Sequence, residues 1–296
     1  MRPRTLSAAL VAGLLLLLIP QGFAAPSLPP AITVSGFSTP ESVLYDPAGD
    51  VYLVSNINGN PTGADDNGFI SRVAPDGRIL TMKWIDGANA AVTLNAPKGS
   101  AISGGTLYVA DITAVRMFDL RTGAPKGSVS VPGATFLNDV AAAADGSVYI
   151  TDSGLKPDFS PSGTDAVYRI RNGRLSTVAK GTFLKGPNGI AVLPNGRLVI
   201  VTFSPGGDII HLTPQGQQQP GQQLPQGQLD GVVVLQGQVL LVSSWAASAV
   251  YRVTGANAEV VVSNVASPAD IGYDSRRDRV LIPLFQGNQV VIQPLR

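Results

Sequence analysis

The 296-residue sequence predicts an all-β chain folded as a six-bladed β-propeller, with an N-terminal strand closing the last blade. Three observations lead there. One pattern recurs six times along the chain. The last copy lacks a strand that the N-terminus has to spare. Short apolar runs are separated by turn-forming residues rather than by helical spacing.

Each copy holds a Pro or Leu, a mostly polar position, a small or acidic residue, an apolar strand, a tight turn and a second apolar strand. The copies are PESVLYDPAGDVYLVSN from Pro40, PKGSAISGGTLYVADI from Pro97, LNDVAAAADGSVYITDS from Leu137, PNGIAVLPNGRLVIVTF from Pro187, LDGVVVLQGQVLLVSSW from Leu229 and PADIGYDSRRDRVLIPLF from Pro268. Their second positions are Glu41, Lys98, Asn138, Asn188, Asp230 and Ala269, separated by 57, 40, 50, 42 and 39 residues. A four-stranded blade needs roughly 40–50 residues, so each copy is one blade.

A third strand follows each pair, as in GFISRVAP from Gly68 and AVYRIRNG from Ala166. Five copies then offer a fourth, such as RILTMKWI from Arg78 or AEVVVSNV from Ala258. The sixth ends at Arg296 without one, whereas AITVSGF from Ala31 has no partner of its own. Lending that segment to the last blade closes the ring and removes two exposed strand edges. A solenoid or sandwich has no need of such a reciprocal gap. Asp-Gly at Asp76 and Asp145, Asn-Gly at Asn172 and Asn195, and Gly-Gly at Gly104 are the steps expected to take positive φ in two-residue hairpins.

The N-terminus reads differently. Arg2 and Arg4 precede an apolar run from Leu6 to Pro20 and small residues at Ala24 and Ala25. This is the layout of a secretory signal peptide over residues 1–25, with the propeller over 26–296. The run falls short of the ~20 residues of a membrane anchor. The mature chain is therefore expected to be secreted or periplasmic, monomeric and free of the membrane. It contains no cysteine, which excludes a disulfide scaffold and a lipid-modified Cys anchor. A formal net charge of +1, with no clustered Lys or Arg, leaves no footprint for nucleic acid.

In a propeller, the inner strands all begin beside the axis at one face. Glu41, Lys98, Asn138, Asn188, Asp230 and Ala269 should therefore ring one channel mouth, beneath two long loops, from Asn56 and from Ser153. Glu41, Asn138, Asn188 and Asp230 present carboxylate and amide oxygens, the donors of a hard divalent cation: Ca²⁺ first, with Mg²⁺ as an alternative. A Cys or multi-His zinc site is excluded, since His211 is the only histidine. Lys98 has two readings. It either pairs with Glu41 or Asp230 in a purely structural ring, or it grips an anionic substrate beside a metal.

These residues resemble the senescence marker protein/gluconolactonase (regucalcin-like) family, and more distantly the paraoxonases and strictosidine-synthase-like propellers. The resemblance rests on Glu41 in PESV, Asn188 in PNGI, Asp230 in LDGV and Asn138 in FLNDV. It implies a metal-dependent hydrolase of a small lactone or ester, with Glu41, Asn138, Asn188 and Asp230 as ligands. By the same resemblance Asp230 is the catalytic base; Lys98, by its charge, and Phe136 and Asn138, by their place at the ring, are expected to contact substrate. Phe136 stands where sugar-lactonases of the family carry an Arg, which argues against an aldonolactone. The alternative is a non-catalytic propeller binding a ligand or protein on its loop-bearing face.

Other signals read as structural. The run from Gln215 to Gln228 is a flexible outer edge of blade four, and Asp65, Asp66 and Asn67 form a solvated loop tip. Asp111 and Asp152 bind backbone amides in their turns, and His211 is a half-buried strand residue.

Overall fold

The computed structural model describes Met1 and residues 29–295, so the expected leader lies outside the described residues. The strands form six four-stranded antiparallel sheets arranged as a propeller. Blade one runs from Pro40–Asp46 to Ile79–Asp86, and blades two to five follow in chain order from inner to outer strand. Blade six takes its outer strand from the N-terminus. Ile32–Ser35 pairs antiparallel with Gln289–Pro294, from Ile32 opposite Ile292 to Ser35 opposite Gln289.

Burial explains the sequence pattern. Middle strands such as Val51–Asn56 and Leu198–Thr202 are buried along their whole length and read as continuous apolar runs. Outer strands such as Arg174–Lys180 face water on one side and alternate. Six apolar clusters result, each shared by two neighbouring blades, so no blade buries its faces alone. The cluster at the seam includes Val34 of the borrowed strand, with Val290 and Ile292 of blade six and Val54 of blade one.

A polar latch reinforces this seam. Tyr52 of blade one donates to Asp274 of blade six at 2.7 Å. Arg277 bridges back to Asp50 at 2.7 Å and to Asp274 at 3.0 Å. The Arg277 guanidinium holds the Asp50 carboxyl well below the usual carboxylate range.

The glutamine-rich run forms the outer edge of blade four as expected, and does so as a regular strand, Gln218–Gln223, paired from Asp208 opposite Gln223 to Leu212 opposite Gln218. All five steps expected to take positive φ do so, but only Asn172-Gly173 and Gly104-Gly105 take it at both residues. In the other three only Gly77, Gly146 and Gly196 take positive φ. There the preceding Asp76, Asp145 and Asn195 accept from the amides of Arg78, Ser147 and Arg197, a side-chain mimic of a backbone turn.

Candidate metal centre

The site grows out of a recurring defect in the inner strands. In blades two to five the first inner residue pairs with the last residue of the middle strand, and then two inner residues oppose one partner. Leu137 is opposite Asp152 and the next pair is Val140 with Ile150, which leaves Asn138 and Asp139 in the bulge. The same irregularity holds Lys98, Asn188 and Asp230, and a one-residue version in blade one holds Glu41. A bulge bends its strand and re-aims a side chain. Here it turns the expected ring residues Glu41, Lys98, Asn138, Asn188 and Asp230 into one cavity of about 340 Å³. Ala269 is buried and is not among the residues lining it.

The next position lets neighbouring inner strands approach. A Cβ on Gly189 would strike the carbonyl oxygen of Asp230, and one on Gly231 would strike the backbone of Asp270 and Ile271. The Asn-Gly and Asp-Gly steps are thus set by crowding at the axis. Hydroxyls complete the ring. Thr151 donates to the Asn188 carbonyl at 2.6 Å and accepts from the Asp139 amide, while Ser243 donates to the Ala269 carbonyl at 2.8 Å and accepts from the Gly231 amide.

Glu41, Asn138, Asn188 and Asp230 are all buried, and each keeps one oxygen that accepts no hydrogen bond: Glu41 Oε2, Asn138 Oδ1, Asn188 Oδ1 and Asp230 Oδ1. A buried, unpaired acceptor costs about 1–3 kcal/mol, and four of them facing one cavity form a donor set for a hard cation. Only two of the four are carboxylates. Among the described residues no three His, Cys, Asp or Glu side chains form a metal-binding group, so the fit depends on the amide oxygens.

The floor feels more charge than the four residues account for. Asp139 and Asp270, one residue further along the chain than Asn138 and Ala269, are also buried; they line the channel on the other side of the ring rather than this cavity, close enough to act on its carboxylates through space. Asp139 accepts from the amides of Val140 at 2.6 Å and Ile190 at 2.7 Å, and Asp270 accepts from Ser42 Oγ at 2.6 Å. Burial raises the Glu41, Asp139 and Asp230 carboxyls well above their ordinary range, and their mutual repulsion adds to it. Burial likewise lifts Asp270 to about 7. The Trp245 indole works against the rise at Asp230. Its Nε1–H is nonetheless buried without an acceptor in hydrogen-bonding geometry.

Lys98 does not follow the structural reading. Its ammonium closes no ion pair with Glu41 or Asp230. It donates to the Ala96 carbonyl at 3.1 Å and stands 4.5 Å from the Phe136 ring centre. Burial lowers its pKa to about 8, against the pull of Glu41 and Asp111.

Above the floor the cavity is apolar. Phe203, Trp245 and Phe285 stand in a row, with ring centres 5.2 and 5.3 Å apart, and Ile57 continues the wall. Phe136 and Phe159 meet edge to face at 6.3 Å across from them. Pro61, Leu155 and Phe159 come from the two long loops. Asp152 binds the Gly154 amide in its own turn as expected, whereas Asp111 binds the amides of Asn95 and Ala96 from the preceding loop and pairs with Arg116 at 2.8 Å; His211 does not line the cavity.

Sequence reasoning missed Asp139, Asp270 and the aromatic row. The row had a signal. Ile57, Phe203, Trp245 and Phe285 each stand one residue past a middle strand, the same repeat position in blades one, four, five and six.

Solved structures with the same fold include a gluconolactonase from Xanthomonas campestris, at 20% identity and a TM-score of 0.71, with 90% of this chain and 89% of that one covered. A virginiamycin B lyase from Staphylococcus aureus matches at 15% identity and a TM-score of 0.65, over 90% and 99% of the two chains. The calcium-binding protein regucalcin from Agrobacterium tumefaciens matches at 14% and 0.62, over 88% and 90%. A search of curated proteins gives no match. The family model for the SMP-30/gluconolactonase/LRE-like region matches residues 40–272, from the first inner strand to the last, and the chain belongs to that family.

Proposed function

We propose that this protein is an exported, metal-dependent hydrolase that opens a small lactone or ester. The observation that carries the reading is the set of four unpaired buried oxygens, on Glu41, Asn138, Asn188 and Asp230, facing one cavity. They would hold Ca²⁺ or a similar hard cation. When bound, such an ion polarises the acyl carbonyl and lowers the pKa of an attacking water.

The chain's own groups supply the rest. Water adds its oxygen to the acyl carbon while Asp230 takes its proton. The acyl C–O bond then breaks, and the same proton passes to the departing alkoxide, leaving a hydroxy acid, or an acid and an alcohol. Burial raises the Asp230 pKa in the metal-free protein; with a cation bound it falls and the carboxylate stays ionised, ready to take the proton. Lys98 carries the positive charge suited to the new carboxylate, and Phe136 and Asn138 border the substrate's place. Export rests on the N-terminal sequence.

Elemental analysis of purified protein and a hydrolysis screen over lactones and esters, with added Ca²⁺, test this. Activity and a bound divalent ion are expected in the wild type, and both should vanish in Asp230→Ala. Retention of both in that variant removes the reading. A protein without metal or activity falls to the alternative, a ligand-binding propeller.

A further inference from the structure

The proposed reaction leaves open which lactones or esters reach the floor, and the walls speak to that. Of the cavity's upper lining, Ile57, Phe136, Phe159, Phe203, Trp245 and Phe285 offer one polar hydrogen-bonding group between them, the Trp245 indole N–H. Ser153, the remaining hydroxyl nearby, is already donating to the Pro187 carbonyl at 2.7 Å.

A polyhydroxylated ring would lose its water against this surface and find few partners, at about 1–3 kcal/mol for each hydroxyl left unpaired. An aryl or alkyl group gains from the same surface through burial and edge-to-face ring contact. Size agrees with a small molecule, since about 340 Å³ lies at the lower end of the ~300–1,000 Å³ of ordinary ligand cavities.

Resting on the hydrolase reading, we infer that the substrate is a small lactone or ester bearing an apolar aryl or alkyl arm. The arm lies along the row of Phe203, Trp245 and Phe285, and the acyl group lies on the oxygen-lined floor. The Trp245 N–H makes no hydrogen bond in good geometry yet lies near enough to Asp230 to pull its carboxyl pKa down, so it sits at the edge of the floor. It is placed to donate to the acyl or ring oxygen, which makes Trp245 a positioning residue. The wall selects against sugar lactones by what it fails to offer.

Binding can be read apart from turnover with lactams, which keep the ring and carbonyl and resist hydrolysis. The protein has two tryptophans, so Trp84→Phe leaves Trp245 as the sole fluorescent reporter. In that background, Ca²⁺-loaded protein is titrated with γ-phenyl-γ-butyrolactam and with glucono-δ-lactam. The phenyl lactam is expected to shift Trp245 emission and to bind at least about tenfold more tightly than the sugar lactam. Phe203→Ser and Phe285→Ser should each weaken the phenyl lactam by about tenfold and leave the sugar lactam unchanged.

Equal or tighter binding of the sugar lactam, or no binding of the phenyl lactam to protein with native circular dichroism, overturns the inference. Phenyl lactam binding without hydrolysis of any lactone supports the inference and removes the hydrolase reading. Hydrolysis of glucono-δ-lactone in preference to γ-phenyl-γ-butyrolactone does the reverse.

Discussion

The Lys98 ammonium stands 4.5 Å from the centre of the Phe136 ring, buried beside a floor of carboxylates yet in ion-pair contact with neither Glu41 nor Asp230. The ring face and one carbonyl hold the charge in place without neutralising the floor. The carboxylate oxygens therefore stay open to a cation, while a positive charge nearby opposes its entry.

That balance predicts how Ca²⁺ affinity responds to Lys98. Lys98→Met removes the repulsion and should tighten Ca²⁺ binding by about tenfold at neutral pH. In the wild type the affinity should rise as pH passes through about 8, where the ammonium loses its proton. The variant should lose the Lys98 contribution and keep only the shallower rise due to the floor carboxyls. Calorimetric titrations of both proteins across pH check it.

Asp230→Asn should act with opposite signs on the two forms of the protein. It removes a buried charge that repels Glu41, so the metal-free protein should gain about 1–2 kcal/mol at pH above neutral. Wild type should gain about 2.7 kcal/mol from Ca²⁺ at a hundredfold excess over its Kd, and the variant should gain almost nothing. Urea unfolding with chelator and with Ca²⁺ gives all four values. Loss of stability in the metal-free variant would mean that Asp230 serves the fold.

The buried floor also sets a pH dependence for the metal-free protein. Asp270 has its pKa raised from 3.8 to about 7 in the folded state, and Glu41, Asp139 and Asp230 are raised as well. Between the unfolded and folded values the native state binds more protons, so stability falls as pH rises. The metal-free Tm should be higher at about pH 5 than at about pH 8, and saturating Ca²⁺ should shrink or reverse the difference. Thermal melts at the two pH values, with and without metal, decide it.

Ring closure gives a prediction independent of the site. Val34 is buried in the cluster that joins blade six to blade one. Val34→Asp places an unpaired charge there and should cost at least about 3 kcal/mol, seen as a lower urea midpoint. An exposed change on the same strand, Thr33→Asp, should cost under about 0.5 kcal/mol.

Periodicity alone carried the blade count, the borrowed closing strand and the ring of Glu41, Lys98, Asn138, Asn188 and Asp230, because each depends only on equivalent places in a repeat. Other features needed the chain to be folded. Asp139 and Asp270 act on the floor from beneath because neighbouring inner strands come within side-chain reach at the axis, as in the bond from Ser42 to Asp270 across 228 residues. Phe203, Trp245 and Phe285 become one wall only when three blades stand side by side. Whether Lys98 pairs with a carboxylate or rests on Phe136 is settled by packing within a few ångströms, a scale at which spacing along the sequence carries no information.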